Sequence, residues 1–228
     1  MASSQLKIRL GEVLGTIRVV LADDEPLLRH GLGVLLKAGG GIDVVAEASD
    51  GHAALDAVRR HQPDVLLLDV QMPNLGGLDV LRMLPDPPPA TAILTTFDLD
   101  DYVATALELG AQGFLLKDIE PEILVRAVRD LAAGGAVLDP RITARLLPRL
   151  RGAGVSLNKA RALATLSARE RQVLDLLADG HPNARIAATL HLTEATVKSY
   201  VSTTMTKLGV RNRVQAALLL HGVDVGCP

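Results

Sequence analysis

Between Ile17 and Gly135 the chain alternates short apolar runs with longer stretches of helical period. Five runs, Ile17 to Ala22, Ile42 to Ala48, Val65 to Asp69, Ala92 to Thr96 and Phe114 to Lys117, are too short for stable helices and predict strands buried on both faces. Between the first two, Leu27, Leu28, Leu32, Leu35 and Leu36 predict the apolar face of a helix that Pro26 opens and Gly39-Gly40-Gly41 ends. Further helices are predicted over about Gly51 to His61 (capped by Ser49 or Asp50), Leu78 to Leu84, Asp100 to Leu109 and Pro121 to Ala133. Five strands alternating with five helices predict an α/β domain: a doubly wound, five-stranded parallel sheet with right-handed crossovers.

Beyond residue 163 the strand period disappears. Ser167 and Glu170 form a capping box ahead of Val173, Leu174, Leu176 and Leu177. After a break at Gly180-His181-Pro182-Asn183, helices are predicted over Ala184 to Leu190, Ala195 to Leu208 and Val214 to Leu220. Two helices joined by a tight turn within a small all-α set predict a helix-turn-helix domain. The chain thus divides into a tail (1–16), an α/β domain (17–135), a linker (136–163) and a helical domain (164–228). The linker includes a short amphipathic stretch, Ile142, Leu146, Leu147 and Leu150.

Composition changes this picture in two ways. Aromatic residues make up only 2% of the 228 residues, so the cores must be aliphatic. The net charge of -2 conceals a split: residues 1–135 carry 11 Lys and Arg against 20 Asp and Glu, whereas residues 136–228 carry 13 against 6. A basic helical domain attached to an acidic one points to a polyanionic partner. No apolar run approaches the roughly 20 residues of a membrane span, and the N-terminus lacks the apolar core of a secretory signal, so a cytosolic protein is expected. The single cysteine, Cys227, has no partner for a disulfide, and the six histidines lack metal-site spacing. Gly31-Leu32-Gly33 lacks the third glycine and preceding strand of a dinucleotide fingerprint.

The candidate chemistry sits at strand ends. Taken alone, Asp69 reads as a cap for the Met72-Pro73 turn. But the first strand ends at Asp23 and Asp24, the fourth at Thr95 and the fifth at Lys117. In a flavodoxin-like order, 2-1-3-4-5, ligands bind at the carboxyl ends of the strands, and strands one and three are neighbours there. Asp23, Asp24 and Asp69 then crowd together, and such carboxylates repel unless a cation intervenes. Mg²⁺ suits that set, Lys117 and Thr95 suit a phosphoryl group, and the fitting reaction is phosphorylation of Asp69.

On Leu21-Ala22-Asp23-Asp24-Glu25-Pro26, Leu68-Asp69-Val70-Gln71-Met72-Pro73, Thr95-Thr96-Phe97 and Gly113-Phe114-Leu115-Leu116-Lys117, residues 17–135 resemble the receiver domain of two-component response regulators. The resemblance implies Asp69 as phosphoacceptor and Mg²⁺ held by Asp23, Asp24, Asp69 and the backbone carbonyl of Gln71. It further implies Thr95 as switch hydroxyl, Lys117 as the phosphoryl-binding lysine, and Phe114 as an aromatic that turns inward on phosphorylation. Asp118 replaces a proline frequent in receivers, and Asn74-Leu75-Gly76-Gly77 lacks an acidic residue often found there; neither position carries the phosphorylation chemistry.

Residues 164–222 resemble the LuxR-type helix-turn-helix of the NarL/FixJ regulators, on Leu166 to Glu170, Gly180 to Ala187, Thr193 to Val201 and Lys207 to Arg213. By that resemblance the helix starting near Glu194 enters the major groove of double-stranded DNA. Lys198, Ser199 and Ser202 face the bases, Thr196, Lys207 and Arg211 lie near the backbone, and Val197, Val201 and Leu208 face the core. Tyr200 either touches phosphate or packs inward. The resemblance implies a sensor histidine kinase as phosphodonor, and phosphorylation that promotes a homodimer and frees the reading helix. Two other readings remain at this point: a phosphorylation-independent regulator with the receiver as dimerisation module, and a Mg²⁺-dependent aspartyl-phosphate hydrolase. The latter usually carries an acid where this chain has Gln71.

Overall fold

The structure, a computed structural model, describes residues 15–96, 100–139 and 162–220. Almost all of the tail, most of the linker including the Ile142–Leu150 stretch, Phe97 and Cys227 lie outside the described residues.

The alternating period folds as expected. Strands β1 (Ile17–Ala22), β2 (Ile42–Ala48), β3 (Val65–Asp69), β4 (Ala90–Thr95) and β5 (Gly113–Leu116) form a parallel sheet in the order β2-β1-β3-β4-β5. A sixth strand, β6 (Val137–Leu138), pairs parallel with β5. It lies in the segment expected to be linker, and the five-stranded expectation is corrected to six. Two residues carry no readable period, so β6 is defined by the edge it extends. Helices α1 (Pro26–Ala38), α2 (Gly51–His61), α3 (Gly77–Met83), α4 (Asp100–Glu108) and α5 (Pro121–Ala132) cover the sheet.

Because strand side chains alternate, one sheet makes two cores. Val20, Ala22, Leu66, Leu68, Ile93 and Phe114 face α2, α3 and α4, whereas Val19, Leu21, Val65, Leu67, Leu94 and Leu115 face α1 and α5. Asp50 is the cap of α2, its side chain accepting from the Ala53 amide at 2.9 Å. Leu27 departs from the predicted apolar face of α1. It is 90% exposed, because Leu28, Leu32 and Leu36 already define the buried stripe and Leu27 lies outside it.

The helical domain comprises α6 (Ala168–Ala178), α7 (Asn183–Leu190), α8 (Glu194–Leu208) and α9 (Arg213–Leu220), around a core that includes Val173, Leu177, Ile186, Val197 and Leu208. The capping box at Ser167 and Glu170 is formed in both directions. Among the described residues, no helix is long and apolar enough to cross a membrane.

Candidate functional site

Parallel strands aim their carboxyl ends in one direction, and β1, β3, β4 and β5 are consecutive neighbours where it matters. Asp23 and Asp24 follow β1, Asp69 ends β3, Thr95 ends β4, and Lys117 follows β5. Carboxylate oxygens of Asp23, Asp24 and Asp69 lie within 4.8 Å of one another, with Asp23 and Asp69 buried and Asp24 exposed. Gly77 makes this packing possible. A Cβ there would fall 2.2 Å from the Asp69 carbonyl, so only glycine lets α3 start so close to the acidic loop.

Lys117 reaches into the cluster as its cation. Its Nζ donates to Asp69 Oδ2 at 3.0 Å and to Glu25 Oε1 at 2.9 Å. It also lies 3.0 Å from Asp23 Oδ2, an ion pair without hydrogen-bond alignment. Burial opposes the charge on Lys117, but the hydrogen bonds it donates to Glu25 and Asp69, with Asp23 beside them, outweigh it and raise the pKa above the ordinary lysine value. Burial raises the Asp69 carboxyl above its ordinary value; Lys117 and the Gln71 amide, which donates at 3.1 Å, only partly counter this, and Asp23 adds to it.

The cluster fits a hard divalent cation. It is over-supplied with negative charge for one ammonium, and Asp23 Oδ2 is buried with no hydrogen-bond donor. An orphaned carboxylate oxygen in a set of three is what such an ion satisfies. Thr95 is 3% exposed, and its hydroxyl donates to the Thr96 carbonyl at 2.9 Å rather than to the cluster. Thr95, Lys117 and Glu25 line a cleft of about 310 Å³ beside the cluster, with Leu28, Thr96 and Asp118. Phe114, expected to turn inward on phosphorylation, has its ring wholly buried in the core. With no hydroxyl to hydrate, phenylalanine gains by packing inward without any phosphoryl group.

The helix-turn-helix residues present a second site. Lys198, Ser199, Ser202 and Arg211 are exposed and Thr196 is half-buried, its amide donating to the Thr193 cap. Tyr200 is half-buried against the helical core, which favours packing of the two roles left open for it. Lys207 donates to Glu170 Oε2 at 2.8 Å, an interaction that, with the Ser167 amide, lowers the Glu170 pKa; its ammonium thus closes the capping box against α8.

One side of α8 faces the α/β domain. Lys198, Val201, Ser202 and Met205 of α8 share a cleft of about 160 Å³ with Gln112 and Gly134 of the α/β domain. Residues at the start of α9 hold that arrangement. Asn212 donates to the carbonyls of Leu107 and Ala111, each at 3.0 Å, and Gln215 donates to Leu107 at 2.8 Å. The Leu107 carbonyl belongs to the last turn of α4, which needs capping partners, and Ala111 lies in the loop that follows. Arg213 donates to the Gly134 carbonyl and, at 2.6 Å, to the His181 carbonyl; burial lowers its pKa to about 10. Val214 is built into the same core as Phe114 and Leu107. Gly134, at φ +75°, permits the approach, since a Cβ there would fall 2.5 Å from Asn183 Nδ2. None of Asn212, Arg213, Gln215, Gly134 and Glu25 was singled out as functional from the sequence. Asn212-Arg213 was visible only as the close of a motif.

Comparison with known proteins agrees with both halves. Residues 19–129 match the response regulator receiver domain, and residues 164–220 match the bacterial regulatory proteins of the luxR family. The transcriptional regulatory protein LnrK of Bacillus subtilis (strain 168) is 37% identical over 219 residues, covering 92% of this chain and 99% of that protein. The nitrate/nitrite response regulator protein NarL of Escherichia coli (strain K12) is 38% identical over 208 residues, covering 89% and 94%. The crystal structure of the response regulator ChrA, from a heme-sensing two-component system, superposes with a TM-score of 0.52 at 37% identity, covering 91% and 98%.

Proposed function

The chain belongs to the response regulators that join a receiver to a LuxR-type helix-turn-helix domain, transcriptional regulators of two-component systems rather than enzymes, and from that premise we propose that phosphorylation of Asp69 frees its DNA-reading helix. In this reading residues 17–135 are the receiver and 164–228 the DNA-binding domain. The phosphodonor is the phosphohistidine of a sensor kinase. An Asp69 carboxylate oxygen attacks phosphorus, the P–N bond breaks, and its electron pair returns to the imidazole, which takes up a proton.

Mg²⁺ held by Asp23, Asp24, Asp69 and the Gln71 carbonyl supplies neutralisation of the phosphoryl charge. Lys117 then moves part of its hydrogen bonding from carboxylates to a phosphoryl oxygen, and Thr95 exchanges the Thr96 carbonyl for another. Thr95 ends β4 and α4 follows it, so this exchange pulls on the helix whose far end Asn212 and Gln215 cap. Release of α9 moves the α/β domain away from α8, which lets Lys198, Ser199 and Ser202 approach base edges and Thr196 and Arg211 approach phosphates, with Tyr200 and Lys207 supporting the helix from behind. Two freed domains in a homodimer match half-sites about one helical turn apart.

The single observation that carries this reading is the cleft in which Lys198 and Ser202, both still solvent-exposed, face Gln112 and Gly134 of the α/β domain. A helix turned that way is not free to enter a groove about 12 Å wide. Crosslinking of Gln112→Cys with Ser202→Cys, in a Cys227→Ser background, tests it: beryllofluoride with Mg²⁺ is expected to slow crosslinking, and an unchanged rate contradicts the release.

A further inference from the structure

Glu25 occupies the N-cap position of α1, yet its side chain makes no capping hydrogen bond to that helix. Its amide is tied to Asp23 Oδ1 at 2.8 Å, which leaves the carboxylate free to swing across the mouth of the acidic cluster, where it accepts from Lys117 at 2.9 Å. Lys117 thereby donates to Glu25 and Asp69 at 2.9 and 3.0 Å and is ion-paired with Asp23 at 3.0 Å. A phosphoryl oxygen arriving at Asp69 meets an ammonium already held by three carboxylates.

One of the three contacts must be surrendered, and the surroundings decide which. Asp23 is fully buried and belongs to the cation set, and Asp69 carries the incoming group. The Glu25 side chain is 61% exposed, so water replaces Lys117 as its partner at little cost. Glu25 also lines the cleft beside the cluster with Thr95 and Lys117, so its negative charge stands beside the space an anionic donor enters.

We propose that Glu25 is a positioning residue that parks Lys117 across the resting acidic cluster, competes with the phosphoryl group for it, and so sets how tightly Asp69 takes up a phosphoryl-like anion. The inference rests on Asp69 as phosphoacceptor. It makes Glu25 a brake on uptake rather than a contributor to it. Removing its charge strengthens anion binding, the opposite of what removing a metal ligand does.

The test is titration of the full chain with beryllofluoride at fixed Mg²⁺, comparing wild type with Glu25→Gln, which retains size and hydrogen-bonding capacity. For an exposed ion pair the expected gain is roughly two- to fivefold in affinity. Equal or weaker binding by Glu25→Gln overturns the proposal. A second readout, the ¹⁵N resonance of Lys117 Nζ, separates positioning from general stability. Glu25→Gln is expected to shift it in the resting protein and to match wild type once beryllofluoride is bound; a difference that persists after loading overturns the proposal. Failure of wild type to bind at all, with Asp69→Asn equally inert, removes the phosphoacceptor reading instead.

Discussion

The acidic cluster and the interdomain contact are both buried polar arrangements, built on opposite principles. The cluster sets one ammonium against Asp23, Asp69 and Glu25, leaves Asp23 Oδ2 without a donor, and pushes the Asp69 pKa upward. It is unbalanced and responds to added charge. The interdomain contact consists of Asn212, Gln215 and Arg213 donating to backbone carbonyls of Leu107, Ala111 and Gly134. No acidic side chain takes part in those bonds; those of Asn212 and Gln215 are neutral and net only about 0.5–1.5 kcal/mol each, and Arg213 alone brings a charge. A charge-sensitive input and a contact that depends on position rather than charge are joined by α4, which begins past Thr95 and ends under Asn212. Under the proposed phosphorylation of Asp69, this division of labour lets a phosphoryl group act where it cannot reach.

The largest effect should come from emptying the input. Mg²⁺ at about 100 times its dissociation constant is expected to stabilise wild type by ~2.7 kcal/mol. In Asp69→Asn and Asp24→Asn that gain should largely vanish in thermal unfolding, and retention of it in both would remove the cation site.

Next is the contact itself. Asn212→Asp keeps the cap that Oδ1 provides to the Gln215 amide at 2.8 Å but replaces the Nδ2 donor with an acceptor facing two carbonyls. Leaving buried groups unsatisfied costs about 1–3 kcal/mol. The unphosphorylated variant should therefore bind DNA about tenfold more tightly in anisotropy titrations, and unchanged affinity would mean that the contact is not restraining. Lys198→Ala should weaken DNA binding across sequences or at one base position; if it touches phosphate, the salt slope falls by about 1.

The smallest effect is proton-linked. Because the folded Asp69 pKa is raised above 3.8, the folded state holds its proton longer than the unfolded state does. Ionising Asp69 thus withdraws stability as pH rises from about 3.8 through the folded value. In Mg²⁺-free buffer, Asp69→Asn should gain on wild type across that window and then hold a constant lead. A lead that shrinks with rising pH contradicts the sign.

The two regions also differ in how far the sequence revealed them. Asp23, Asp24, Asp69, Thr95 and Lys117 could be read because buried strands end on them, and a parallel sheet obliges those ends to meet. The helix-turn-helix was legible from caps and apolar spacing. Glu25 escaped notice because its position before Pro26 reads equally well as an ordinary helix N-cap, a place it occupies without making a side-chain cap bond. The Asn212 and Gln215 bonds join residues more than 100 positions apart with no shared period, so no local pattern encodes them. β6 and Leu27 were missed for a related reason: two residues are too few for a period, and a leucine at a helix start looks apolar wherever it points.

The most direct test is DNA affinity of the full chain, on fragments recovered by genomic footprinting, with and without beryllofluoride and Mg²⁺. Coupling of 1–3 kcal/mol between the two regions predicts a tightening of about 5- to 150-fold on loading. Equal affinities in the two states would contradict it.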